Sequence, residues 1–243
     1  MPQNALVPVE DGRSLRFERV VTLSDSSGRT YQSREASEYR IGDASDRSGE
    51  IVELSRLTVP PGAYKLTVQT IDSGSTQWGI YTQDLVVPAC TDTVSMSDLQ
   101  VAWAVTDREQ KDVFRKEDVW VVPMPSRSFL ETQPVHLYYE LYGMGLDTFG
   151  RSRYTITYTI EQNVRSGAGV FGAVGGFFKR AVQRQEPDVS INYEAVGDAA
   201  DEAVYLEIDA DKLKRGYNRI AVTVTDQVRG KSSMRSTIVH LGG

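Results

Sequence analysis

The sequence is short of the residues on which much enzyme and metal chemistry depends. Its 243 residues hold one cysteine, Cys90, and two histidines, His136 and His240. A single cysteine excludes an intrachain disulfide, although it leaves the compartment open. One cysteine and two distant histidines do not supply a zinc site, which takes about four clustered nitrogen and sulfur ligands. Neither histidine has a serine or cysteine beside it in a nucleophile-elbow context. No Gly-Lys-Ser/Thr phosphate loop occurs. No carboxylate pair is placed across a cleft, as glycoside hydrolysis requires. No run of 18 or more apolar residues is present to span a bilayer as a helix.

The first residues, Met1-Pro2-Gln3-Asn4-Ala5, lack the basic and apolar regions of a signal peptide. This start fits a fragment of a longer exported precursor, or alternatively a cytoplasmic chain. The net charge of -6 disfavours general binding to nucleic-acid phosphates.

What the sequence does have is ordinary globular composition, 40% hydrophobic and 25% charged, and a strong period of two. In Arg153-Tyr154-Thr155-Ile156-Thr157-Tyr158-Thr159-Ile160, Tyr and Ile take one face and mostly Thr the other. Residues 64–69, 204–208 and 219–225 alternate in the same way. Strands with one wet face read like this, and they belong to antiparallel sheets. Further strands are predicted over 15–23, 49–57, 78–87, 97–105, 119–122, 135–142, 189–193 and 237–241. Turn residues separate them, as in Asp25-Ser26-Ser27-Gly28 and Asp72-Ser73-Gly74.

An internal repeat organises these strands. Aligned on Gly62 and Gly216, Leu66 falls on Ile220, Val68 on Val222 and Asp72 on Asp226. The tyrosine slips by one, Tyr64 against Tyr217. In each copy the tyrosine is expected to pin a corner through its hydroxyl, and the aspartate to close a turn. The predicted fold is therefore all-β: two tandem antiparallel β-sandwich modules of immunoglobulin-like or fibronectin-III-like kind, over residues 1–92 and 93–243. The link falls near Pro88-Ala89-Cys90-Thr91-Asp92-Thr93.

The second module carries a Gly/Phe-rich insertion at about 163–187, with room for a short helix. Its Gly167-Ala168-Gly169-Val170-Phe171-Gly172 fits the G-x-G-x-x-G pattern of dinucleotide-binding loops. The preceding strand alternates, however, whereas strands of that fold are continuously apolar. Positions 170, 171, 174, 177, 178, 181 and 182 follow helical spacing and lead into basic residues. The insertion is expected either to cap one end of a sandwich or to meet a partner protein or a membrane surface, through Phe171, Phe177, Phe178, Lys179 and Arg180. A second candidate contact is the aromatic strand His136-Leu137-Tyr138-Tyr139-Glu140-Leu141-Tyr142, with Tyr138 and Tyr142 on one face to stack on a sugar or seal an interface.

No catalytic residue, cofactor or metal is expected. Calcium is the one candidate ion, through the acidic runs Asp43, Asp46, Glu50 and Asp198, Asp201, Glu202, Asp209, Asp211, which lack EF-hand spacing.

The succession Leu57-Thr58-Val59-Pro60-Pro61-Gly62-Ala63-Tyr64, Asp72-Ser73-Gly74, Ser95-Met96-Ser97-Asp98-Leu99-Gln100-Val101-Ala102, Val121-Val122-Pro123-Met124-Pro125 and Leu137-Tyr138-Tyr139-Glu140-Leu141-Tyr142 resembles the β-rich region of bacterial GWxTD-domain proteins. The Gly-Trp-x-Thr-Asp motif itself is absent. The resemblance implies an exported bacterial protein, periplasmic or at the cell surface, with no catalytic residues to carry over. The expected role is a non-catalytic protein-interaction or structural module. A carbohydrate-binding sandwich and an accessory β-domain of a larger enzyme are the alternatives.

Overall fold

The structure is a computed structural model that describes residues 6–9, 14–40, 51–89, 94–162, 164 and 188–242. The chain divides into two compact units, Met1–Ala89 and Cys90–Gly243. Their regular structure is almost wholly β, as the alternation predicts.

The first unit is built on one four-stranded antiparallel sheet. Its strands are β1 (Ser14–Asp25), β2 (Thr30–Arg40), β3 (Gly62–Asp72) and β4 (Trp78–Val87), in the order β2-β1-β3-β4. Leu15, Phe17, Arg19, Val21 and Leu23 alternate along β1 and share one face with Tyr64, Leu66 and Val68 of β3. Leu6, Leu15, Phe17 and Ile51, with Tyr39, cover part of that face.

The predicted sandwich needs a second facing sheet, and the described residues of this unit do not form one. Residues 49–57 were expected as a strand, of which 49 and 50 lie outside the described residues. No regular element is formed over 51–60, where Glu53, Ser55, Leu57 and Val59 are half-buried and Arg56 and Thr58 exposed. No ladder joins this stretch to a neighbour among the described residues. Glu53, Ser55, Leu57, Thr58 and Val59 line one pocket together with residues of β1, β3 and β4.

The second unit has two sheets. One holds β12 (Val189–Gly197), β11 (Ser152–Glu161), β14 (Gly216–Asp226), β15 (Lys231–Leu241) and β9 (Ser128–Phe129), in that order. The other runs β13 (Glu202–Ile208), β10 (Val135–Tyr142), β6 (Gln100–Thr106), β8 (Val119–Pro123) and β7 (Arg115–Lys116), with β5 (Ser95–Met96) also on β10. One core joins them: Val135, Leu137, Tyr139 and Leu141 of β10 meet Tyr154, Ile156, Tyr158 and Ile160 of β11 and Ile220, Val222 and Val224 of β14. Two amphipathic sheets bury their apolar faces against each other in this way.

The repeat seen in the sequence is a repeat of topology. The order β2-β1-β3-β4 has the same connectivity as β12-β11-β14-β15. The hairpins share a register: Gly62 faces Val87 as Gly216 faces Leu241, and Ile71 faces Trp78 as Thr225 faces Ser232. Asp72 pairs with Phe17 as Asp226 pairs with Tyr154. Both aspartates are buried and close turns. Asp72 accepts from the Gly74 and Val7 amides and the Ser75 hydroxyl. Asp226 accepts from the Gly145, Val228 and Arg229 amides.

The tyrosine corner exists in one copy only. Tyr64 donates its hydroxyl to the Pro60 carbonyl at 2.7 Å. Tyr217 lies more than a third exposed beside His240. Its expected role falls to Asn218, which is fully buried and stands opposite Tyr64 in the glycine alignment. The Asn218 carboxamide donates to the Lys214 and Gly216 carbonyls and accepts from the Lys214 amide. Gly216, at φ +102°, makes the turn that permits this.

Candidate interaction groove

The equivalent positions in the two units differ sharply in burial. Ile220 and Val222 are fully buried, whereas their counterparts Leu66 and Val68 are half-buried. Val239 and Leu241 of β15 are also buried, but Leu85 and Val87 of β4 are only half so. The difference lies in what covers the face. In the second unit β10 and β13 pack on it; in the first, among the described residues, Glu53, Ser55, Leu57, Thr58 and Val59 line it.

An open groove of about 710 Å³ results. Val21, Leu23, Leu66, Val68, Leu85 and Val87 form its floor, and Leu57, Thr58 and Val59 form a wall. Its polar end holds Arg19, Glu53 and Ser55. Arg19 breaks the apolar series along β1, and its guanidinium is held by carboxylates. Nη2 lies 2.5 Å from Glu35 Oε2 and donates to the Leu54 carbonyl at 3.3 Å, and Nη1 lies 3.6 Å from Glu53 Oε2. Tyr39 donates to Glu53, and burial together with that bond drives the Tyr39 hydroxyl pKa upward. Arg19 Nε and Ser55 Oγ are buried without a hydrogen-bond partner among the described residues. Such orphans are uncommon in folded proteins.

Beside the groove, β4 is an edge strand, and it presents Trp78, Ile80, Tyr81 and Val86 to solvent. Exposed edges of this kind are templates for another chain.

The structure redistributes the residues that the sequence nominated. Tyr138 is buried, not presented: it packs with Ala102 and Val121 on the outer face of the β10 sheet. The covering residues are Val105 and Val119, so its ring is not open to a sugar. Tyr142 is half-buried, and both tyrosines donate to Glu140. Lys116 completes the cluster, 3.0 Å from Glu140 and over the Tyr138 ring. Burial raises the Glu140 pKa, but the bonds from Tyr142, Lys116 and Tyr138 outweigh it and hold the carboxyl below its usual range. This arrangement ties β10 to β7; its donors are spent within the fold.

Phe171, Phe177, Phe178, Lys179 and Arg180 lie outside the described residues, as do Asp43, Asp46 and Glu50. Of the second acidic run, Asp201 accepts from the Gly143 amide, Glu202 from Ser152 and Ala199, and Asp211 pairs with Lys212. Among the described residues no three His, Cys, Asp or Glu side chains are gathered as metal ligands would be. His136 is mostly buried, and burial lowers its pKa against the opposing pull of Glu207.

Arg19, Glu53 and Ser55 were not nominated from sequence. The available signal was an arginine in phase with Leu15, Phe17, Val21 and Leu23, where the alternation calls for a fifth apolar residue.

Fold and groove define an all-β protein of two antiparallel units, one with a half-covered sheet. No protein-family model matches the chain, and no curated protein matches it.

Proposed function

We propose that this chain is a non-catalytic protein-interaction module of an exported bacterial protein related to the GWxTD-domain group. In this reading both units are variants of an immunoglobulin-like sandwich, and the first one binds. One observation carries it: Leu66, Val68, Leu85 and Val87, whose counterparts in the second unit are packed or face a packed sheet, line an open groove. Contiguous apolar surface with a polar end is what protein contacts use. The adjoining aromatic and aliphatic side chains Trp78, Ile80 and Tyr81 are of the types that anchor interfaces.

The test is site-specific crosslinking in the native host. A photoreactive residue at Tyr81 yields a discrete protein adduct, while the same residue at Tyr205, exposed on the second unit, does not. Absence of any adduct at Tyr81 and at Leu85 contradicts the reading.

A further inference from the structure

We infer that three linked tyrosines of the second unit, Tyr139, Tyr158 and Tyr193, give up a hydrogen atom to peroxyl radicals and hold the resulting neutral phenoxyl radical on buried Tyr158. The site lies wholly in the second unit and does not depend on the groove. Tyr139 comes from β10 in one sheet; Tyr158 and Tyr193 come from β11 and β12 in the other. The Tyr139 and Tyr158 hydroxyl oxygens lie 2.8 Å apart, and those of Tyr158 and Tyr193 2.9 Å apart. The Tyr158 and Tyr193 rings stack, with centroids 5.6 Å apart and 26° between their planes. Tyr139 is 0% exposed and Tyr158 2%, whereas Tyr193 is 37% exposed. The row therefore runs from the dry core to solvent.

The hydrogens do not all find partners inside the row. Each phenol brings one O–H and an oxygen that accepts. Three hydroxyls in a row make two bonds among themselves, and in both contacts either hydroxyl can donate. The third hydrogen points to water from Tyr193 or stays unpaired in the core, where an unpaired donor is costly. If Tyr158 loses its hydrogen, Tyr139 and Tyr193 both donate to its oxygen and no O–H is left over. The middle position is thus the one that best holds a phenoxyl oxygen. Loss of a proton is opposed: burial drives the Tyr139 and Tyr158 hydroxyl pKa values upward, because a phenolate would be a charge in an apolar site. A hydrogen atom carries no charge, so burial does not oppose its loss.

The co-reactant is a peroxyl radical, ROO•. It takes the hydrogen atom of Tyr193: the phenolic O–H bond breaks, a ROO–H bond forms, and a neutral radical remains on Tyr193. The Tyr158 hydrogen atom then crosses 2.9 Å to the Tyr193 oxygen, restoring that O–H bond and leaving the radical on Tyr158. Atoms and electrons balance, with one hydroperoxide as product. At 2% exposure Tyr158 meets neither a second radical nor a dissolved reductant, unlike Tyr205 at 61%.

A water-soluble azo initiator decomposing in air supplies peroxyl radicals to the full chain. Ascorbate is then added, and freeze-quench electron paramagnetic resonance follows the tyrosyl signal. Two populations are expected: surface radicals that ascorbate clears at once, and a slow fraction that it does not. Tyr193→Phe and Tyr158→Phe are each expected to lose the slow fraction, and Tyr205→Phe to keep it. Tyr193→Phe retains the ring on an edge strand, so this arm decides the matter even where Tyr158→Phe fails to fold. The inference is overturned if ascorbate clears the unsubstituted protein in a single fast phase. It is equally overturned if the slow fraction survives in Tyr193→Phe.

Discussion

Replacing Asn218 with alanine removes three hydrogen bonds from a fully buried position. Two carbonyls and one amide lose their partner, and a small void opens where the carboxamide was. Net hydrogen bonds are worth about 1 kcal/mol each, and an unsatisfied buried group costs about 1–3 kcal/mol. Lys214 lies on the surface, so water can satisfy part of the loss. The expected destabilisation of the second unit is about 2–4 kcal/mol. The matching change in the first unit, Tyr64→Phe, removes one hydroxyl bond, to Pro60, and should cost about 1 kcal/mol. Urea unfolding, followed by probes that separate the two units, measures both. If Asn218→Ala costs less than Tyr64→Phe, the carboxamide does not do the work of the corner tyrosine, and the equivalence of the two hairpins at this position is wrong.

Ile220→Ala should cost about 2–5 kcal/mol, the range for emptying a packed core site, whereas Leu66→Ala at the equivalent half-covered site should cost well under half of that in denaturant melts. Acidification should weaken the first unit through Asp72. Burial raises its pKa, but bonds from Ser75, Gly74 and Val7 more than reverse this and set it below 3.8. The folded state therefore holds fewer protons than the unfolded state. The contribution is complete above that value and is lost as pH falls through the folded pKa, and Asp72→Asn should flatten this part of the stability–pH curve. His136 has the same sign at higher pH. Burial keeps its folded pKa below 6.5, so the unfolded chain takes up the proton first. The second unit should lose stability from roughly pH 7 to pH 5, and His136→Gln should reduce that loss.

The all-β class was legible because most strands carry one apolar and one wet face. The series from Tyr154 to Ile160 and from Ile220 to Val224 are buried where the alternation puts them. The repeat was legible too, since Gly62 and Gly216, and Asp72 and Asp226, hold the same register positions. β2 was missed. Its sequence, Thr30–Arg40, is largely polar and charged, as an edge strand can be when much of it faces water, and it offers no apolar stripe to read. The tyrosine slip hid the exchange of Tyr64 for Asn218, because a carboxamide at a corner has no pattern of its own. Tyr138 looked like a surface residue because Val105 of β6 and Val119 of β8, which pack against its cluster, come from elsewhere in the chain. The groove was illegible for a related reason. Sequence alternation shows that 53–59 has an inward face, but not whether a neighbouring strand is there to complete the layer.

The central claim is that the face carrying Leu66, Val68, Leu85 and Val87 is open to a partner, while its counterpart in the second unit is packed. Thiol labelling of Leu85→Cys and of Val239→Cys, each in a Cys90→Ser background, tests this directly. The account predicts fast labelling at position 85 and slow labelling at position 239. Equally slow labelling at both would contradict it.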